Sequence, residues 1–138
     1  MGFLDYLRQT QAPKLHVALD HGVGHTVVLV HGIASSSVTF DNVVPLLGHH
    51  HRVIAIDLLG FGKSPRPAQS GYSMEEHVDA LAKTLRSLRL QGRITLVGHS
   101  LGALIATRYA AVYPSMLSHL VLVSPPVYLP GNTVLDPV

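Results

Sequence analysis

The segment VGHSLGA at residues 97–103 carries the strongest chemical signal in the sequence. Gly98 and Gly102 flank Ser100 at a spacing that lets a strand turn sharply into a helix, since side chains there would block the close approach. Such a turn exposes the serine hydroxyl, and the helix N-terminus supplies N–H groups where negative charge would develop. The pattern predicts a nucleophile at Ser100 and an oxyanion donor in the backbone N–H of Leu101. His99 is expected to be a packed residue and not a base.

A second segment is predicted to meet the first. An apolar run at residues 26–30 ends in HGIASSS at 31–37. The carboxyl ends of parallel strands share one edge of a sheet, so this loop should open beside Ser100. The backbone N–H of Ile33 is then a candidate for the second oxyanion donor. We expect His31 to fix the loop by hydrogen bonds and not to react directly.

Four apolar runs, at residues 26–30, 52–57, 93–97 and 117–123, are continuous and rich in β-branched residues. Continuous apolarity is typical of parallel strands covered on both faces, and a weaker run at 15–19 fits an edge strand. Helices are expected at 73–90, where Ser73 and Glu76 form a capping box, and at 101–113, which Pro114 ends. A further helix is expected at 38–47. The alternation predicts an α/β fold, a predominantly parallel sheet with helices on both faces.

Three motifs together resemble the serine-nucleophile branch of the α/β-hydrolase superfamily: His31-Gly32, DLLGFGKS at 57–64 and GHSLG at 98–102. The likeness covers residues 15–128, the N-terminal portion of that fold. It implies a nucleophile at Ser100 and an oxyanion hole at Ile33 and Leu101. Serine at this position argues against the branches whose nucleophile is a carboxylate.

The resemblance also implies supporting roles around the nucleophile. Asp57 would tie down a loop that Gly60 and Gly62 allow to turn. The remaining supporting residues are His31, Gly32, Gly98, His99 and Gly102.

The family's triad order is serine, acid, histidine, and this chain does not supply it. After Ser100 it offers only His119 and Asp136, in the wrong order. His119 begins its strand, about 17 Å from the edge where Ser100 is expected. We therefore expect the acid and the histidine beyond residue 138. Residues 1–138 are interpreted as one incomplete domain that lacks the lid and last strands: an N-terminal extension (1–14), a core (15–128) and an interrupted segment (129–138).

These observations predict a serine hydrolase that acts on an ester-like or thioester-like bond of a small acyl substrate, without metal or cofactor. The alternative is a catalytically inert, truncated relative that binds an acyl ligand or a partner, because the last strand would leave an apolar edge open to pairing with another chain. A third option is a local relay through His31 and Asp57.

Composition excludes several other classes. The chain has 138 residues, no cysteine, 47% hydrophobic and 13% charged residues, and a net charge of +2. Disulfide scaffolds and thiolate sites are thus excluded, and scattered basic residues do not suggest nucleic acid. No signal peptide or membrane span is predicted, so a cytoplasmic location is expected. The residues GKS at 62–64 do not form a nucleotide-binding loop, because Asp57 stands where that motif needs its first glycine. The three adjacent histidines at 49–51 are not expected to bind a metal, because they lack the spacing of metal ligands.

Overall fold

The computed structural model describes residues 2–127. Its helices are α1 (Phe3–Gln11), α2 (Val44–Leu47), α3 (Met74–Ser87) and α4 (Leu101–Val112). Its strands are β1 (Val17–His21), β2 (His25–Val30), β3 (His51–Ile56), β4 (Ile94–His99) and β5 (Leu117–Val123). Single turns of 3₁₀-helix span Ser37–Phe40 and Pro114–Met116.

The five strands form one sheet in the order β1-β3-β2-β4-β5. The strand β1 pairs antiparallel with β3, and every other neighbouring pair is parallel. Val30 at the end of β2 lies opposite Ile56 on one side and Gly98 on the other. The loops that follow β2, β3 and β4 therefore leave the same edge of the sheet, as the sequence predicts.

Helices cover both faces of this sheet. The larger apolar cluster joins one face of β2, β3 and β4 to α3 and α4. On the other face, Phe40, Val44 and Leu47 pack against Val27, Leu29, Val53 and Ala55. The predicted α/β class with a predominantly parallel sheet and helices on both faces is confirmed.

The helix α3 begins where its capping box predicts. The Ser73 hydroxyl accepts from the Glu76 backbone N–H at 3.2 Å, and the Glu76 carboxylate accepts from the Ser73 backbone N–H at 2.7 Å. The predicted end at residue 90 is wrong by three residues. Arg89 has φ of 48°, a left-handed conformation that cannot continue an α-helix.

The single helix expected at 38–47 is also wrong. A 3₁₀ turn, Ser37–Phe40, is separated from the short helix α2 by a turn. Pro45 explains the division: it has no N–H to donate and is tolerated only in the first turn of a helix, where the structure places it.

The N-terminal extension contains a helix that the sequence analysis does not predict. The helix α1 packs against α3, and the Lys83 ammonium donates to the backbone carbonyls of Thr10 and Ala12, at 2.8 and 2.6 Å. The N-terminal segment is thus held against α3. None of the helices within residues 2–127 has the length and apolar character needed to cross a membrane.

The strand β5 lies at the edge of the sheet beside β4. Its apolar side chains remain open to solvent, with exposed fractions between 37% and 44% for Leu120, Val121, Leu122 and Val123. No other strand of the described residues pairs with its outer side. Residues 129–138, interpreted above as an interrupted segment, lie outside the described residues.

Candidate active site

Ser100 occupies a sharp turn between β4 and α4. Its backbone has φ of 53° and ψ of −119°, a conformation that non-glycine residues rarely adopt. A β-carbon on Gly98 would lie 2.3 Å from the Gly102 carbonyl oxygen, and one on Gly102 would lie 2.3 Å from the Val30 carbonyl oxygen. Only glycine fits at either position. The Gly-x-Ser-x-Gly spacing is therefore a geometric requirement of the strand-to-helix turn.

The loop after β2 lies directly against this turn. A β-carbon on Gly32 would stand 2.8 Å from the β-carbon of Ser100. Ala34 follows with φ of 54°, so the loop bends sharply just beyond Ile33. The structure thus brings together the two segments that the sequence analysis places at one edge of the sheet.

The backbone amides of Ile33 and Leu101 are the two donors that the sequence analysis expects at this junction. Neither the Ile33 N–H nor the Leu101 N–H has a hydrogen-bond acceptor within residues 2–127. Leu101 is the first residue of α4, where helix N–H groups carry partial positive charge. The Ser100 N–H is occupied, because it donates to the Val123 carbonyl at 3.0 Å.

His31 is fully buried beneath the loop, with both ring nitrogens engaged. Nδ1 donates to the Gly32 carbonyl at 2.7 Å, and Nε2 accepts from the Leu58 N–H at 2.9 Å. Burial lowers the pKa of His31, although its bond to Gly32 and the charge of Asp57 oppose that shift. A neutral imidazole with two hydrogen bonds fixes the loop after β2 to the loop after β3.

Asp57 organises the loop after β3 in the same way. One carboxylate oxygen accepts from the Ser37 N–H at 2.8 Å, the other from the Lys63 N–H at 3.0 Å. Burial acts to raise the pKa of Asp57, but the bonds from Lys63 and Ser37 outweigh it and hold the pKa below its ordinary value. A β-carbon on Gly62 would lie 2.3 Å from the Asp57 carboxyl carbon, which accounts for glycine there.

No base reaches Ser100 within the described residues, since its hydroxyl has no hydrogen-bond partner there. His119 pairs with Thr95, at the opposite end of β4 from Ser100. The relay through His31 and Asp57 is not assembled, because the hydrogen bonds above occupy both groups. His99 is partly buried beside Gly32, and its Nδ1 has no hydrogen-bond partner in the part of the chain that the structure describes.

A cavity of about 390 Å³ opens beside the two free amides, and the sequence analysis does not anticipate it. Its lining residues are Ile33, Gly60, Phe61, Tyr72, Met74, His77 and Leu101. The helical spacing of residues on α3 is the one sequence signal that could have pointed to part of this cavity wall. Met74, His77 and Leu81 follow the helical period and therefore share one side of α3. The spacing does not show, however, that this side of α3 lines a cavity, because that depends on how the surrounding loops pack against it.

Comparison with known proteins agrees with this geometry. Residues 25–137 match the family described as "alpha/beta hydrolase fold". A relative from Arabidopsis thaliana named "Probable lysophospholipase BODYGUARD 3" is 40% identical over 106 residues, which cover 74% of this chain and 21% of that protein. The cis-3-alkyl-4-alkyloxetan-2-one decarboxylase of Shewanella oneidensis is 39% identical over 113 residues, 80% of this chain and 35% of that protein.

A solved structure, a serine hydrolase involved in carbazole degradation (CarC enzyme), superposes with a TM-score of 0.76 at 30% identity. The match covers 81% of this chain and 44% of that one. The chain thus spans less than half the length of each of these three proteins. With the family matched over most of the sequence and the strand-to-helix turn in place, the chain belongs to the α/β-hydrolase fold family.

Proposed function

We propose that the protein is a serine hydrolase that cleaves an ester-like or thioester-like bond by acyl transfer through Ser100. The close approach of Gly32 to Ser100 supports this proposal, because it brings the loop that contains Ile33 against the turn that contains Ser100 and Leu101. Hydrolases and esterases among the proteins that share the fold support the reaction class.

In this mechanism the Ser100 oxygen attacks the substrate carbonyl carbon, and the carbonyl π-bond electrons move to its oxygen. The N–H groups of Ile33 and Leu101 donate to that oxyanion. Two such donors stabilise the transition state by several kcal/mol, roughly 3 kcal/mol for each. The tetrahedral species then expels the alcohol or thiol. Water attacks the acyl-enzyme in the second half-reaction and releases the acid.

The serine proton requires a base, which we place, with its orienting acid, in a part of the protein beyond residue 138. The described residues support this placement because no histidine among them makes a hydrogen bond to the Ser100 hydroxyl: both ring nitrogens of His31 are engaged, and His119 pairs with Thr95 at the far end of β4. General-base help contributes about 10²- to 10⁴-fold. The isolated 138-residue chain should therefore react very slowly, and the mechanism needs neither metal nor cofactor.

The test is the loss of activity on replacing Ser100 in the longest natural form of the protein. Ser100→Ala should lower the hydrolysis of short-chain p-nitrophenyl esters by at least about 10³-fold, since only the oxyanion donors remain. Ser115→Ala, an exposed serine beyond α4, is the matched control and should keep full activity. Full activity in Ser100→Ala would exclude this serine as the nucleophile.

A second candidate function is an inert module that binds an acyl ligand or a partner chain. The exposed apolar edge of β5 and the absence of a base near Ser100 within residues 2–127 favour it. A fluorophosphonate probe separates the two candidates. Covalent labelling at Ser100 in the full-length protein supports the enzyme, whereas ligand binding without labelling supports the module.

A further inference from the structure

The cavity beside Ser100 shares two residues with the candidate oxyanion site. Ile33 and Leu101 contribute to both, so a ligand in the cavity lies next to the amides that would face a substrate carbonyl. Phe61 and Met74 make much of the remaining wall apolar. The cavity is therefore placed to hold the apolar part of an acyl group.

Tyr72 and Gly60 form one part of this wall together. Both residues line the cavity, and 40% of Tyr72 is exposed. A β-carbon on Gly60 would lie 2.6 Å from Cε1 and 3.1 Å from Cδ1 of Tyr72, so the aromatic ring rests directly on the glycine backbone. Because Gly60 has no side chain, the Tyr72 ring alone fills the space above it.

The loop holds the backbone of Tyr72 in a strained conformation. Its φ is 53°, in the left-handed region that bulky residues rarely adopt. One oxygen of the Glu76 carboxylate accepts from the Ser70 hydroxyl at 2.9 Å and from the Gly71 N–H at 3.3 Å. The other oxygen accepts from the Ser73 N–H at 2.7 Å. Hydrogen bonds thus fix the chain on both sides of Tyr72, and strain that is held in this way is concentrated at functional sites of proteins.

We propose that the Tyr72 ring determines acyl specificity by occupying the space above Gly60, which restricts the cavity to slim acyl chains. The inference rests on the proposed function, since hydrolysis at Ser100 is what would deliver an acyl group here. It narrows the substrate class to esters or thioesters of unbranched acyl groups. Acyl groups that end in a ring are disfavoured, because the ring of Tyr72 already fills the place that they need.

Binding of free acids to the full-length Ser100→Ala protein tests the inference without requiring the reaction. The probes are unbranched alkanoic acids of four to eight carbons, each compared with the acid that carries a phenyl ring at the end of the same chain. The effect of the phenyl ring on the dissociation constant is measured with Tyr72 present and in the added variant Tyr72→Gly.

The phenyl ring should tighten binding at least about tenfold more in Tyr72→Gly than in the protein that retains Tyr72, at the chain length that reaches Gly60. The reason is that the phenyl ring of the ligand then takes the place of the missing side chain and is removed from water. An equal effect of the phenyl ring in both proteins at every chain length would overturn the inference.

Two further variants complete the comparison. Tyr72→Phe is the matched control: it keeps the ring and loses only the hydroxyl, so its binding should equal that of the protein with Tyr72. Tyr72→Asn also removes the ring, and asparagine, like glycine, tolerates the left-handed conformation, so it should show the same gain if Tyr72→Gly does not fold. A gain in Tyr72→Phe as large as in Tyr72→Gly would show that the ring does not restrict the cavity.

Hydrolysis by the protein that retains Ser100 gives a second readout. The ratio of kcat/KM for the phenyl-bearing p-nitrophenyl ester to that for the unbranched ester should rise about tenfold in Tyr72→Gly and stay constant in Tyr72→Phe. Retained hydrolysis in Ser100→Ala counts against the proposed function alone, because the free-acid comparison involves no reaction. Loss of hydrolysis in Ser100→Ala, together with an equal phenyl effect in Tyr72→Gly and its parent, counts against the role of Tyr72 alone.

Discussion

Gly32 and Ser100 lie so close that a β-carbon on the glycine would stand 2.8 Å from the β-carbon of the serine. Non-bonded contacts this short are essentially never made by β-carbons in folded proteins, and rotation of a side chain would move neither of these two atoms. The loop after β2 and the turn after β4 can therefore pack this closely only because residue 32 has no β-carbon. In the proposed mechanism, this contact positions the Ile33 amide relative to the Ser100 hydroxyl.

Gly32→Ala should therefore lower the reactivity of Ser100 more than it lowers the free energy of unfolding. The added methyl group must push the loop away from Ser100, and overpacking of this kind costs about 1–3 kcal/mol of folding free energy. Displacement of the Ile33 amide removes an oxyanion donor, so labelling of Ser100 by a fluorophosphonate should slow by about 10²-fold or more. Chemical denaturation and labelling rates measure the two effects separately.

The matched control for this substitution is Gly71→Ala. A β-carbon on Gly71 meets only the end of the Glu76 side chain, at 3.6 Å, so the labelling rate should be unchanged. A Gly32→Ala protein that labels as fast as the parent would show that the loop does not position a donor.

The elements that the sequence predicts are those set by local chemistry. The continuous, β-branched apolar runs of β2 and β3 are typical of strands buried on both faces, and the Ser73–Glu76 pair fixes the start of α3. Likewise, glycines two residues before and after Ser100 reflect contacts between the turn and its immediate neighbours. The capping box and the contact between Gly98 and Gly102 are decided within a few residues of chain, whereas Gly102 also meets the distant Val30 carbonyl.

What the sequence did not predict depends on distant contacts. The helix α1 is held by Lys83, which is more than 70 residues away in the chain. His77 belongs to a helix whose polar and apolar residues look ordinary, and only the packing of the loops that contain Ile33 and Phe61 shows that it lines a cavity. Burial of a single polar atom cannot be recognised before the packing is known.

Asp57→Asn should destabilise the fold in a pH-dependent manner. The carboxylate accepts from two backbone N–H groups, and an asparagine would turn its own NH₂ toward one of them. At neutral pH the loss should be about 1–3 kcal/mol, the range for hydrogen bonds to a charged group. Urea unfolding monitored by circular dichroism gives this difference directly.

The pH dependence follows from the lowered pKa of Asp57 in the folded state. A lowered pKa means that folding favours the carboxylate, so its contribution is complete above the unfolded-state pKa of about 3.9. The contribution is lost as the pH falls through the folded-state pKa. The stability gap between the parent and Asp57→Asn should therefore stay constant from neutral pH down to about pH 4 and narrow below that pH, while the exposed control Asp41→Asn shows no comparable gap. If the stability difference between the parent and Asp57→Asn does not narrow below about pH 4, the charge of Asp57 does not stabilise the fold.

The free edge of β5 predicts self-association of the 138-residue chain. An apolar edge strand presents unpaired N–H and C=O groups to any second copy, and Val121 lies in its middle with 43% of its surface exposed. Val121→Lys should weaken this pairing, because a charged side chain on an edge strand disfavours desolvation against another strand. Light scattering across a concentration series should show a rising mass for the parent chain and a monomer of 14.8 kDa for the variant. Val23→Lys, in the turn between β1 and β2 and 84% exposed, is the matched control: it adds the same charge away from the edge and should associate like the parent. If the parent chain stays monomeric at high concentration, the edge of β5 does not pair with a second copy.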